Sequence, residues 1–114
     1  MTRTLLMLLL LLAPSSSALS QDPGHVIEIH ARRFAFEPSE INLRKGHPAK
    51  LRLISDDVTH SLVVRGLHIN QEISKGHPVE ITVTPTSTGD FKGECGHFCG
   101  SGHAYMQLTI HVTE

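Results

Sequence analysis

Over most of the chain, apolar and polar residues alternate in short stretches. Seven segments carry this alternation or are otherwise rich in β-forming residues: 27–31, 41–43, 51–53, 60–65, 79–83, 90–94 and 108–112. A period of two places one face of a strand against a core and the other face in water. We find no convincing helical periodicity among these segments. The pattern therefore predicts an all-β protein, a β-sandwich of about seven strands.

Turn residues separate the predicted strands. The tetrapeptide Lys-Gly-His-Pro occurs twice, at 45–48 and at 75–78. Glycine favours a tight turn, and proline is tolerated at the first position of a strand. We therefore predict two equivalent strand entries, with a second metal site at His47 and His77 as the alternative. Phe34 and Phe36 lie on one side of their segment and are expected to pack in the core.

The first 20 residues resemble a targeting segment and not part of the fold. A short basic lead precedes an apolar run from Leu5 to Ala13, and small polar residues follow up to Ser20. The run is too short to span a bilayer, which takes about 20 residues. We predict a signal peptide at 1–20, with an uncleaved interfacial anchor as the alternative, and one domain at 21–114. The expected location is the periplasm or another extracytoplasmic compartment.

Composition and charge exclude several classes of function. The chain has 10 Lys and Arg against 11 Asp and Glu, which gives no electrostatic reason to expect nucleic acid as a partner. The acids Asp56 and Asp57 adjoin in a predicted turn and are expected to be solvated, as are most of the nine histidines. No Ser-His-Asp set or paired carboxylate stands out. We expect no enzyme activity from this chain on its own.

The chemistry is concentrated in one glycine-rich segment at 93–106. It contains Cys95, Cys99, His103 and Met106 at relative positions 1, 5, 9 and 12. Soft thiolate and thioether ligands combined with imidazole suit copper. Zinc is the competing metal, but it usually takes Cys and His without Met. A disulfide between the two cysteines would close a very small loop and stabilise little.

Two motifs resemble a known family. The pattern C-x3-C-x3-H-x2-M from Cys95 to Met106, with D-V-T-H-S upstream at 57–61, resembles the CuA domain of cytochrome c oxidase subunit II. The separation of 35 residues between His60 and Cys95 is typical of that family. The earlier F-x-F-x-P from Phe34, followed by a Lys-Gly turn, is similar to the opening of many cupredoxin domains. The resemblance implies a cupredoxin-like Greek-key sandwich.

The resemblance also implies a ligand set and a role. Two copper ions would be held by six residues: His60, Cys95, His97, Cys99, His103 and Met106. Both cysteine sulfurs would bridge the ions, with His60 and Met106 completing one. His103 and the backbone carbonyl of His97 would complete the other. The implied function is single-electron transfer outside the cytoplasm.

The resemblance implies partners, and three departures from the family pattern bear on them. The expected partners are a c-type cytochrome or other redox protein, a membrane terminal oxidase, and copper-delivery and thiol-reducing proteins for assembly. His97 stands where the oxidase subunit usually has Glu, and Leu62 stands where an aromatic residue is common. The two membrane helices of a full subunit II have no counterpart in the sequence, so the resemblance extends to the soluble domain alone.

Two alternatives use the same residues. A mononuclear cupredoxin electron carrier would need only His60, Cys99, His103 and Met106, which leaves Cys95 spare. A periplasmic copper-binding or chaperone protein would bind the metal without transferring electrons.

Overall fold

The computed structural model describes residues 26–114, and the predicted signal peptide at 1–20 lies outside that range. The described chain forms nine strands: β1 Val26–Arg32, β2 Ala35–Glu37, β3 Glu40–Arg44, β4 Ala49–Ser55, β5 His60–Val64, β6 Ile69–Ile73, β7 Val79–Val83, β8 Gly89–Cys95 and β9 Gln107–Thr113. Two single 3-10 turns, Arg65–Leu67 and His103–Tyr105, are its helical elements. Within residues 26–114, no helix is long and apolar enough to cross a membrane.

The nine strands form two sheets. One has the order β2-β1-β4-β7 and the other the order β3-β9-β8-β5-β6. The pairs β1–β4 and β3–β9 are parallel, and the remaining pairs are antiparallel. The chain crosses from one sheet to the other five times, as in a Greek-key sandwich. The predicted all-β sandwich is confirmed.

The core lies between the inward faces of both sheets. Along β1, β4 and β9, every second side chain is buried, which is the alternation visible in the sequence. The largest fully buried hydrophobic side chains come from six strands and from Met106, which directly precedes β9: Ile29, Phe36, Leu51, Leu53, Leu62, Ile73, Met106, Leu108 and Ile110. The apolar half of each predicted strand therefore holds the two sheets together.

All seven predicted strands are present, and two further strands were not predicted. The strand β6 has Gln71 at its central inward position, between the buried Ile69 and Ile73, so its alternation is interrupted. The strand β2 has only three residues. The prediction that Phe34 packs in the core is wrong, because residue 34 lies in the turn before β2 and its side chain is exposed, whereas Phe36 is buried.

The two Lys-Gly-His-Pro segments are strand entries, as predicted. The strand β4 begins directly after Pro48 and β7 begins directly after Pro78. Because β4 and β7 are antiparallel neighbours, with Ala49 opposite Val83, the two turns lie at opposite ends of the pair. His47 and His77 therefore cannot bind one metal ion together.

The register of the second sheet determines where the cysteine segment lies. The strands β5 and β8 are antiparallel, with Leu62 opposite Cys95. The first residue of β5, His60, therefore lies at the same end of the sandwich as the last residue of β8, Cys95. The connection from β8 to β9 also starts and ends there. We call this connection, residues 96–106, the ligand loop.

Candidate metal centre

The ligand loop is anchored at both ends by the sheet. The Cys95 amide donates a hydrogen bond to the Met106 carbonyl (3.2 Å), which closes the loop at its base. The 3-10 turn at His103–Tyr105 then directs the chain back into β9. The turn is local, with the His103 amide donating to the Gly100 carbonyl at 3.1 Å. These hydrogen bonds hold the backbone of the loop close to the sheet edge.

The two cysteine sulfurs lie at the centre of a group of donor atoms. A ring nitrogen of His60 and the Sγ atoms of Cys95 and Cys99 all lie within 4.8 Å of one another. Cys95 Sγ is 3.9 Å from His60 Nδ1 and 3.2 Å from the His97 carbonyl oxygen. Both cysteines are free thiols. One end of the sandwich thus gathers two sulfurs, an imidazole and a carbonyl.

The remaining two predicted residues adjoin the second sulfur. Cys99 Sγ is 3.8 Å from His103 Nδ1 and 3.8 Å from Met106 Sδ. All six residues that the sequence singled out therefore border the same small space. His97 does so through its backbone oxygen, since its side chain is exposed.

Burial divides the donors into an inner and an outer group. His60 and Met106 are 0% exposed, and Cys95 and Cys99 are 4% and 6% exposed. His103 is half-buried, and its ring contacts that of Phe98 at a centroid distance of 5.8 Å. Phe98 and Tyr105 are 74% and 83% exposed. The centre is thus buried on the sheet side, and it approaches solvent at His103 beside the exposed ring of Phe98.

Asp57 orients His60, a role that the sequence did not predict. The Asp57 Oδ1 atom lies 2.6 Å from His60 Nε2. An ionised carboxylate only accepts hydrogen bonds, so the imidazole proton belongs on Nε2. The lone pair of Nδ1 then faces Cys95 Sγ, which is the arrangement that a metal-ligating histidine needs.

Hydrogen bonding keeps Asp57 ionised. Burial works to raise the pKa of this carboxyl, but the opposing hydrogen bonds prevail and lower the pKa to about 2. The donors are the Arg33 amide, the His60 ring and the Val58 amide, at 2.7, 2.6 and 2.6 Å. The prediction of a merely solvated acid is therefore wrong for Asp57. Its neighbour Asp56 accepts a hydrogen bond from His30 (2.7 Å) on the outer face.

The thiol of Cys99 is held in its protonated form. Burial raises the pKa of the Cys99 thiol, and the adjacent Cys95 raises it further. Arg33 acts in the opposite direction. A buried thiol beside a second thiol binds its proton until a cation replaces it, so metal binding here is coupled to proton release.

The chemistry of these donors fits copper. Two thiols, a thioether and two imidazoles form a soft donor set. A zinc site of Cys and His would have no use for the fully buried thioether of Met106 beside Cys99. Among residues 26–114, His60, Cys95 and Cys99 form the group of His, Cys, Asp or Glu side chains close enough to bind one ion.

The family model for the cupredoxin-like domain matches residues 2–109 of the chain. The chain belongs to the cupredoxin-like family. The resemblance to oxidase subunit II is confirmed by sequence similarity. Cytochrome c oxidase subunit 2 of Thermus thermophilus is 28% identical over 102 residues, which cover 89% of this chain and 76% of that relative. The chain spans between 22% and 76% of the length of the curated subunit 2 proteins that it matches.

Solved structures agree with the observed fold. A heme-copper terminal oxidase dimer contains a chain with a TM-score of 0.72 and 26% identity, with 83% of this cupredoxin-like chain and 69% of that one covered. The periplasmic domain of cytochrome oxidase subunit II from Bradyrhizobium japonicum also gives a TM-score of 0.72. That alignment covers 79% and 84% of the two chains at 17% identity. The latter likeness supports the fold alone.

Proposed function

We propose that this cupredoxin-like domain transfers single electrons outside the cytoplasm through a pair of copper ions. The ligands would be the side chains of His60, Cys95, Cys99, His103 and Met106 together with the backbone carbonyl of His97. Two bridging thiolates let copper ions share one unpaired electron, so that oxidation and reduction change the bond lengths little. The similarity to oxidase subunit 2 supports the same assignment.

The position of Cys95 is the single observation that carries the dinuclear proposal. A mononuclear carrier would use Cys99 and leave Cys95 spare. Cys95 is instead 4% exposed, and its sulfur lies 3.9 Å from His60 Nδ1 and 3.2 Å from the His97 carbonyl oxygen. The Cys95 and Cys99 sulfur atoms also lie within 4.8 Å of each other. Both sulfurs are therefore available to a metal pair.

Strand ends and one hydrogen bond fix the ligands of such a centre in position. The ends of β5 and β8 fix His60 and Cys95, and the Asp57 carboxylate holds the His60 ring. Because the inner donors are buried, water is excluded from the sheet side of the centre. A fixed, dry donor set reduces the reorganisation that each electron transfer requires. We expect the same burial to slow metal release, which favours an electron carrier over a chaperone.

The exposed end of the site suggests where a redox partner binds. His103 is the most exposed of the side-chain donors, the Phe98 ring contacts it, and the exposed Tyr105 lies in the same 3-10 turn. Exposed aromatic side chains around a polar group are typical of transient protein interfaces. We propose a c-type cytochrome or a membrane terminal oxidase as the partner at this face. A thiol-reducing protein would keep Cys95 and Cys99 reduced until copper arrives.

Replacement of Cys95 by Ser tests the proposal. The wild-type protein is expected to bind two copper ions per chain, and Cys95→Ser is expected to lose the dinuclear spectrum because one bridge is removed. Metal analysis with optical spectra measures both quantities. A mononuclear centre would instead retain its spectrum in Cys95→Ser, with one copper per chain in both proteins, and that result would exclude the proposal.

A further inference from the structure

A single turn outside the ligand loop contacts the site at two places. One is Cys99 in the ligand loop, and the other is Asp57, which holds the His60 ring. The strand β1 ends at Arg32 and β2 begins at Ala35, so residues 33 and 34 form the connection. We propose that Arg33 is a positioning residue, and that the Arg33–Phe34 turn braces the ligand loop against the sandwich. This inference rests on the proposed function for its purpose, but its geometry is independent of any bound metal.

The side chain of Arg33 holds the second cysteine. Its Nε atom donates a hydrogen bond of 2.7 Å to the backbone carbonyl of Cys99, a residue 66 positions later in the chain. A guanidinium N–H carries positive charge, so this is a charge-assisted hydrogen bond and stronger than a neutral one. The Cys99 carbonyl lies in the middle of the ligand loop, where no strand supports the backbone. Arg33 therefore supplies a tertiary support at that point.

The backbone of Arg33 holds the other half of the site. Its amide donates to Asp57 Oδ2 (2.7 Å), while Asp57 Oδ1 accepts from His60 Nε2 (2.6 Å). One residue thus connects to Cys99 through its side chain and to His60 through its amide and Asp57. Because these two contacts use different parts of Arg33, a side-chain substitution should release one half of the site and leave the other.

Phe34 completes the brace by covering the glycines of the loop. A Cβ atom added to Gly100 would lie 2.9 Å from two atoms of the Phe34 ring, and one added to Gly102 would lie 2.9 Å from Phe34 Cε2. The ring therefore lies directly on the backbone of both glycines. This contact explains why Phe34 is 37% exposed and yet packs on the protein, outside the core.

The neighbouring arginine provides a matched control. Among the described residues, Arg32 forms an ion pair with Glu37 and makes no side-chain hydrogen bond or ion pair with the ligand loop. Arg33→Met and Arg32→Met remove the same charge from adjacent positions. A difference between the two variants therefore reports the hydrogen bond to Cys99 and not the net charge.

Amide hydrogen exchange of the metal-free, reduced protein tests the brace. We expect loop amides at 96–105 to exchange on the order of tenfold faster in Arg33→Met than in Arg32→Met, as the loss of one charge-assisted hydrogen bond implies. The 15N shifts of the His60 ring should stay unchanged in both, since the amide of residue 33 still binds Asp57. General destabilisation would speed exchange throughout the sheets, which would contradict a positioning role.

Copper release to a chelator is the second readout, and it separates this inference from the proposed function. Release from Arg33→Met is expected to be about tenfold faster than from Arg32→Met. If the wild-type protein binds two coppers but the two variants behave alike in both assays, the inference is wrong and the function stands. If the wild-type protein binds no copper pair, the function fails, and loop exchange alone decides the inference.

Arg33→Lys provides a second variant if Arg33→Met does not fold. Lysine keeps the charge and the aliphatic stem but lacks the planar donor, so we expect loop exchange to remain roughly threefold faster than in Arg32→Met. Loop exchange in Arg33→Lys equal to that in Arg32→Met would overturn the proposal.

Discussion

At Gly96 the ligand loop comes close to the sheet. The Gly96 amide donates to the Ser61 hydroxyl at 2.9 Å. An added Cβ would lie 2.6 Å from Val63 Cγ2 and 2.9 Å from Ser61 Oγ, well inside normal contact. Because glycine has no side chain, the backbone at Gly96 can pass close to β5 as the loop leaves β8. The requirement is one of space, since Gly96 has no positive φ angle.

We expect Gly96→Ala to lower the free energy of unfolding by about 1–3 kcal/mol, the usual cost of overpacking, and to weaken copper binding. Chemical denaturation and metal titration measure the two effects. Gly46→Asn is the control, because residue 46 has a left-handed φ that Asn tolerates and open space around it. Equal stability of the two variants would contradict the close approach.

The site residues differ in how far the sequence could identify them. Four donors, Cys95, Cys99, His103 and Met106, lie within a segment of 12 residues, so their spacing alone indicated a metal site. Asp57 lies three positions before His60, and this proximity was the available signal for its role. Arg33 gave no such signal, because its partner Cys99 is 66 positions away and an exposed arginine is ordinary.

Among the secondary-structure elements, the outer face of the second sheet carries a histidine between two carboxylates. His111 on β9 donates from Nδ1 to Asp90 on β8 (2.6 Å) and from Nε2 to Glu40 on β3 (3.3 Å). Both ring nitrogens can donate at once in the protonated ring. The hydrogen bond to Asp90, followed by the one to Glu40, raises the pKa of His111 above its usual value of 6.5. His30 has its pKa raised in the same way by Asp56 and Glu28.

These raised pKa values predict a stability that falls as the pH rises above the ordinary histidine pKa of 6.5. The folded protein binds the proton more tightly than the unfolded chain, so the contribution is complete below pH 6.5 and is lost as pH rises through the folded pKa. His111→Gln is expected to flatten this decline in part, because His30 still contributes. Urea denaturation from about pH 5 to about pH 9 covers the titration range of histidine.

His47→Gln is the control for that experiment, since His47 lies in an exposed turn. Because the carboxylates around His111 are exposed, added salt should weaken the effect. A pH profile identical in wild type and His111→Gln would show that the three-strand contact does not contribute to stability.

The strands themselves were the most predictable part of the protein. Strands such as β7 and β9 have uninterrupted alternation, and their bounds follow from it closely. The strand β6 was missed because Gln71 occupies an inward position, and Phe34 was misassigned because the alternation does not continue through the turn. Local pattern predicts the strands whose alternation is uninterrupted, whereas β6 and the pairing order depend on contacts between distant segments.

In the whole molecule, the sandwich holds the metal-binding residues in place at one of its ends. The register of β5 against β8 brings His60 beside Cys95, and the ligand loop returns to β9 over them. The Arg33–Phe34 turn approaches from the other sheet and contacts the loop from outside. All the donors therefore belong to the second sheet and its ligand loop, and the first sheet supports that loop through the Arg33–Phe34 turn.

The EPR spectrum of the copper-loaded, oxidised protein tests the central claim most directly. With both sulfurs bridging, one unpaired electron is shared equally, and the spectrum should show hyperfine splitting from two equivalent copper nuclei at two ions per chain. A four-line pattern from a single copper nucleus, at one ion per chain, would contradict the account.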